Sequence, residues 1–233
     1  MRGFVSLEVI RERCVGAAGE TSGRAARERQ ENPPTYSRIP SPPERMSVLQ
    51  VVTVATRENR AGPAVADWFL HCARLHGKFT VDPIDLATVN LPMFDEPKHP
   101  RFQQYEHEHT RRWSATVARA DAYVFVTPEY NYGAPPSIVN AIDYLNKEWA
   151  YKPVGFVSYG GVSGGTRSAQ MIRQLVTSLR MMPIPEAVTI PFFTQYIDKE
   201  SGAFAPEETQ ATAATAMLDE LLRWTGALAT LRR

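Results

Sequence analysis

Val48-Leu-Gln-Val-Val-Thr-Val-Ala55 is a nearly unbroken apolar run rich in β-branched residues. A strand with one solvated face would alternate apolar and polar side chains. A continuous run of this length reads instead as a strand covered on both faces, the situation of a parallel sheet. The residues after Ala55 support that reading. Beyond a turn, Pro63 fits the first position of a helix, where its missing N–H is no loss. Val65, Trp68, Phe69 and Cys72 then fall at i, i+3, i+4 and i+7, forming one apolar stripe.

The alternation continues to the end of the chain. Phe79–Asp85 reads as a second strand, and a loop with Pro92, Pro97 and Pro100 leads to a helix over about Tyr105–Arg119. Ala122–Thr127 is a third strand, ended by Pro128. A helix is expected near Ser137–Glu148, with Ile138, Ile142 and Leu145 on one face. Pro153–Ser158 is a fourth strand. Ile172, Leu175, Val176 and Leu179 mark a helix near Thr166–Arg180, Ala187–Ile190 is a fifth strand, and a last helix spans about Pro206–Leu231. Five strands separated by helices imply an α/β fold, a parallel sheet with helices on both faces. Ligands of such sheets sit beyond the carboxyl ends of the strands, where the strand order reverses.

Composition narrows the function. The chain has 233 residues, enough for one domain with a sizeable core. Its formal net charge of +1 argues against a nucleic-acid or membrane-surface binder, which needs a concentrated basic face. It argues more mildly against an electron carrier that steers its partners by charge. The two cysteines, Cys14 and Cys72, form no CxxC or Cys/His cluster, so neither a disulfide framework nor a zinc site is indicated. They fit a reducing cytoplasm. No apolar run approaches the roughly 20 residues of a membrane span.

Residues 1–46 differ from the rest. They hold eight Arg and six Glu, and Pro33, Pro34, Pro40, Pro42 and Pro43 crowd their end. Without a periodic apolar face, the segment reads as a disordered extension. A start at Met46 is an alternative, and the glutamates argue against a transit peptide. Residues 47–233 are the expected domain.

Three loops at strand ends carry the candidate chemistry. Thr56-Arg-Glu-Asn-Arg-Ala-Gly62 joins a buried strand to a helix start, whose unpaired N–H groups welcome an anion. Thr56 adds a hydroxyl, and Arg57 and Arg60 add guanidinium groups suited to a phosphate. The loop has neither Walker A nor G-x-G-x-x-G spacing. Thr127-Pro-Glu-Tyr-Asn-Tyr-Gly-Ala-Pro-Pro136 sets Tyr130 and Asn131 between prolines, a stiff wall for a flat ring. Glu129 there reads as a general acid or base, or as a solvated or salt-bridged carboxylate, with the second favoured. Tyr159-Gly-Gly-Val-Ser-Gly-Gly-Thr-Arg167 contains four glycines, expected to let the backbone approach a ligand and to leave N–H donors free.

Pro128-Glu-Tyr-Asn-Tyr-Gly133, Asn140-Ala-Ile-Asp143 and Lys152-Pro-Val-Gly-Phe-Val-Ser-Tyr-Gly-Gly161 together resemble the NADPH-dependent FMN reductase family, which includes related NAD(P)H quinone reductases. The resemblance spans about Val48–Leu228. It implies a flavodoxin-like three-layer sandwich with a five-stranded parallel sheet and non-covalent FMN. NADPH or NADH would be the reductant, and a small molecule such as a flavin or quinone the acceptor. It also implies a homodimer or homotetramer. By position, Thr56, Arg57 and Arg60 match the phosphate loop. Pro128, Glu129, Tyr130 and Asn131 match the segment along the isoalloxazine, and Tyr159, Gly160 and Gly161 match the loop at its pyrimidine edge. Ala55-Thr56 departs from the Gly-Ser with which relatives often begin the phosphate loop. A non-catalytic electron carrier or flavin-sensing protein, and an α/β phosphate binder without flavin, are the alternative readings.

Overall fold

The computed structural model describes residues 45–232. Cys14 and all but the last two residues of the 1–46 segment lie outside them. The elements in chain order are β1 (Val48–Thr53), α1 (Gly62–His76), β2 (Thr80–Asp85), a short α2 (Leu86–Val89) and α3 (Glu108–Ala118). They continue with β3 (Ala122–Pro128), α4 (Pro136–Asp143), β4 (Pro153–Tyr159), α5 (Thr166–Ser178), β5 (Met182–Ile190) and α6 (Glu208–Leu228). The five strands form one sheet in the order β2-β1-β3-β4-β5, with every neighbouring pair parallel.

The continuous apolar strands are covered on both sides, as their composition requires. In β3, Val124 and Val126 face a layer formed by α1 and α6, with Val65, Phe69, Met217 and Leu221. Tyr123 and Phe125, which alternate with them in sequence, face the opposite layer of α3, α4 and α5, with Trp113, Ile138 and Ile172. The chain is therefore a three-layer sandwich of the flavodoxin-like kind, as expected.

Boundaries differ where polar contacts or prolines intervene. The β5 strand begins at Met182, five residues before the run Ala187–Ile190 that marks it in the sequence. Pro183 and Pro185 hide its first half. They are tolerated because β5 is an edge strand, where missing N–H donors face no partner. The α3 helix starts at Glu108, three residues later than its apolar pattern. The Glu96 carboxylate accepts the N–H groups of Glu106 (2.8 Å) and His107 (3.0 Å) and holds that stretch outside the helix. The α4 helix stops at Asp143 instead of Glu148. Glu148 is drawn inward, accepting from Ser114 Oγ at 2.7 Å and Tyr105 Oη at 2.8 Å.

One buried charge sits opposite the carboxyl edge of the sheet. Lys152 immediately precedes β4, and its Nζ donates to the Val117 and Ala118 carbonyls at 3.0 and 3.3 Å, at the C-terminal end of α3. A cation there complements the helix dipole. Burial, and then the nearby Arg232, push its pKa down from 10.5 to about 8. A lysine with a lowered folded-state pKa binds its proton more weakly in the native than in the unfolded chain. Its contribution to stability is thus least favourable below pH 8 and improves as pH rises from about 8 to 10.5. Urea unfolding of the parent and of Lys152→Met at pH 8 and pH 10 should show their stability difference shifting toward the parent by about 2 kcal/mol at the higher pH. A difference independent of pH would refute this.

Candidate functional site

The strand order reverses between β1 and β3: β2 lies outside β1 on one side, while β4 and β5 extend outward from β3 on the other. The crossovers leaving β1 and β3 therefore pass to opposite faces and open a crevice at the carboxyl edge. A cavity of about 470 Å³ occupies it, within the range of small-molecule sites. It is lined by Arg57 and Arg60 after β1, Pro128, Glu129, Tyr130 and Asn131 at the end of β3, Tyr159, Gly160 and Gly161 at the end of β4, and Phe193 after β5. The structure thus brings the sequence-predicted residues together, with one exception. Thr56 lines a neighbouring cavity of about 360 Å³ with Leu86, Asn90 and Ser137. Another cavity of about 480 Å³, between α4, α5 and the Glu96–Pro100 segment, contains none of them.

The two arginines are held differently. Arg60 is paired with Asp85 at 2.5 Å, while its buried Nε lacks a partner. Arg57 is exposed, and its Nε donates to the Tyr130 hydroxyl at 3.2 Å across the cavity. Tyr159, at the end of β4, is buried and packs edge-on against Phe193, with ring centroids 5.1 Å apart. Burial keeps its phenol protonated well past the usual range. Proximity to Tyr130 adds to this, with Arg57 and Arg60 opposing.

The loop after β3 doubles back as a two-residue hairpin. Tyr130 and Gly133 exchange backbone hydrogen bonds of 3.0 and 2.9 Å, and Asn131 and Tyr132 between them have φ of 49° and 65°. Positive φ at both central residues is the signature of a type I′ turn. It suits asparagine, whereas in tyrosine it stores strain. Of the two states the sequence reading favoured for Glu129, solvated or salt-bridged, the structure shows the salt bridge. Its side chain is 9% exposed and accepts from Arg167 Nη1 at 2.6 Å, Ser163 Oγ at 2.8 Å and the Arg167 N–H at 3.2 Å. Burial alone would raise its pKa. The hydrogen bonds from Arg167 and Ser163 outweigh burial and hold the carboxyl below its ordinary value.

The glycine loop departs from its simple reading. Gly160 does not keep a free donor, because its N–H bonds the Ile190 carbonyl at 3.2 Å. Gly161 does: among the described residues its N–H makes no hydrogen bond, and a Cβ built there meets nothing within 4 Å. Gly165 serves the turn instead. Its φ is 81°, and a Cβ would come within 2.7 Å of the Tyr159 backbone. Phe193 was missed in the sequence because the residues after β5 carry no loop signal. Ser163 and Arg167 were visible only as members of the glycine loop. No helix among the described residues is long and apolar enough to cross a membrane, and they include no cluster suited to a metal ion.

The chain is similar to several known proteins. An NAD(P)H-dependent FMN reductase of Nectria sp is 35% identical over 153 residues, covering 63% of this chain and 76% of the relative. A quinone reductase of Pseudomonas putida is 35% identical over 106 residues, covering 42% and 55%. The solved structure of FerB, a flavoenzyme NAD(P)H:(acceptor) oxidoreductase from Paracoccus denitrificans, shares the fold with a TM-score of 0.57. It is 19% identical, over 77% of this chain and 97% of that one. The model of the family described as NADPH-dependent FMN reductase matches residues 48–195, which contain all five strands and the loops that border the crevice. The chain belongs to the NADPH-dependent FMN reductase family.

Proposed function

We propose that the crevice holds FMN non-covalently and that the protein is an NAD(P)H-dependent oxidoreductase delivering hydride to a flavin or quinone-type acceptor. The observation that carries the proposal is the convergence of four loops on one cavity at the reversal of strand order, with two arginines at one part and an unused N–H donor at another. When bound, FMN would supply the redox chemistry for hydride transfer between NADPH or NADH and the acceptor. Arg57 and Arg60 offer the phosphate two cations. Thr56 opens on the neighbouring cavity and is left outside the phosphate assignment. Pro128, Glu129, Tyr130 and Asn131 wall the ring on one side, and Tyr159, Gly160 and Gly161 on another. The Gly161 N–H is suited to hold charge that builds on the ring's pyrimidine edge.

In keeping with the relatives' names, the acceptor is taken to be a small molecule that replaces the nicotinamide beside the ring. We place the enzyme in the cytoplasm, as a homodimer or homotetramer. Exposed Met93 and Phe102 offer apolar surface for self-association. The near-balanced charge supports no nucleic-acid partner. Reconstitution tests the activity. The purified protein with FMN should show flavin absorbance and oxidise NADPH rapidly when a quinone is supplied. Flavin without NADPH oxidation would mark an electron carrier, and no flavin uptake would overturn the proposal.

Two sets of variants test the site. A charge-assisted hydrogen bond is worth roughly 1.5–3 kcal/mol. Arg57→Ala should therefore weaken FMN about tenfold or more while leaving riboflavin binding and the melting temperature nearly unchanged. Arg60→Ala should weaken FMN as well, but it also removes the ion pair with Asp85, leaving that carboxylate, among the described residues, only the Ala87 N–H, and should lower stability. Equal FMN affinity in the parent and both variants would refute the phosphate assignment.

The glycines form the second set. Gly161→Val should leave the apoprotein as stable as the parent, since its Cβ meets open space, yet reduce FMN occupancy. Gly165→Ala should lower the melting temperature with or without FMN, because it forces a side chain against the Tyr159 backbone. Normal FMN affinity in Gly161→Val would show that the loop does not approach the ring.

A further inference from the structure

Glu129 presents a physical problem that the proposed chemistry makes acute. It lines the cavity, and its carboxylate is nearly shut off from water. A flavin ring gains negative charge on reduction. An unbalanced carboxylate beside it, in a site of low dielectric, would oppose that gain. Such an arrangement would favour the oxidised cofactor and slow the acceptance of hydride.

Arg167 cancels the charge. It sits in the first turn of α5, and it meets the carboxylate with both its guanidinium and its backbone N–H, at 2.6 and 3.2 Å. Its guanidinium also lies over the Tyr132 ring, 4.4 Å from the centroid. That contact holds the exposed tip of the strained hairpin. Arg167 is thus fixed on both sides while its own side chain remains 46% exposed. Neither arginine that lines the cavity reaches this carboxylate: Arg60 is ion-paired with Asp85, and Arg57 donates to the Tyr130 hydroxyl. Ser163 completes the set, since its hydroxyl donates to the same carboxylate oxygen as the Arg167 N–H.

We propose that the Glu129–Arg167 pair sets the reduction potential of the bound flavin: Arg167 is a positioning residue whose charge neutralises the Glu129 carboxylate at the cavity wall. The inference rests on the reading that the cavity holds FMN. A purely mechanical role, stapling the β3 loop to the β4 loop, is the competing account. The two make different predictions. A lost staple weakens oxidised and reduced FMN together, whichever partner is removed. A lost charge changes their ratio, with a sign that depends on the partner.

The test is the two-electron midpoint potential of the FMN-loaded protein, with FMN affinity and apoprotein melting temperature measured on the same preparations. Glu129→Gln leaves the Arg167 charge unbalanced and should raise the potential. Arg167→Gln leaves the carboxylate unbalanced and should lower it. Each should change the ratio of affinities for reduced and oxidised FMN about tenfold, which is about 30 mV for a two-electron couple. Shifts of the same sign, or no shift in either, overturn the proposal and leave the staple.

Two further variants keep the question decidable if a single substitution loses its fold. Arg167→Lys retains the charge and should stay near the parental potential. The double variant with Glu129→Gln and Arg167→Gln removes both charges and should return to it. A double variant displaced as far as Arg167→Gln alone would overturn the tuning role. A parent that takes up no FMN would overturn the reading of the cavity itself, whereas a parent that binds FMN with same-sign shifts in the variants overturns only the pair's role.

Discussion

Parallel pairing is the constraint on which the rest of this structure depends. Parallel strands cannot be joined by tight hairpins, so every connection must cross a face of the sheet. Those crossovers bury both faces, which is why β1, β3 and β4 can be apolar along nearly their whole length. They also deliver each strand's exit loop to the same edge. The first strand, β1, is an inner one, with β2 added on one side and then β3, β4 and β5 on the other. The loops leaving β1 and β3 must then part, and the crevice between them is a consequence of topology before any side chain is considered.

The walls of that crevice are held by contacts between loops. Glu129 after β3 reaches Ser163 and Arg167 after β4, and the buried hydroxyls of Thr127 and Ser168 meet at 2.9 Å just beneath. Arg57 after β1 reaches Tyr130 after β3, and Phe193 after β5 packs on Tyr159 at the end of β4. Each loop bordering the cavity is thus tied to a neighbour. This cross-linking allows a tight turn with positive φ at a tyrosine to persist, since local strain survives only where the surroundings over-determine it. A rigid wall suits the proposed role of the crevice, because orientation of reacting partners supplies much of the rate.

Polar groups away from the crevice obey the same logic of burial with compensation. Glu148 and Lys152 lie near one another in sequence and are both almost inaccessible, yet they do not pair with each other in any hydrogen bond among the described residues. Glu148 gathers hydroxyl and amide donors from Tyr105, Ser114 and Gln103, while Lys152 donates to the last carbonyls of α3. Both tie α3 to the β4 side of the sheet. They fix the helix that covers one face without contributing to the crevice.

The strands, their order in the chain and the loops that border the crevice were legible in the sequence because they depend on short-range pattern. Continuous β-branched runs, helical apolar stripes and the residues Pro128–Asn131 and Tyr159–Gly161 can all be read locally. The features that could not be read depend on contacts between distant segments. The first half of β5 was hidden because proline is excluded from a strand only if its N–H side is paired, and edge position is a tertiary property. The partner of Glu129 stands 38 residues away, and no periodicity relates the two. Gly160, Gly161 and Gly165 look alike as letters, yet one donates to Ile190, one faces open space and one passes against the Tyr159 backbone. Sequence alone determined the fold class and which loops gather at the carboxyl edge, because the periodicity of each element is encoded within it. Only the tertiary structure decided which side chains line the cavity and which support it, because that division depends on how loops from separate strands pack once the sheet has brought them together.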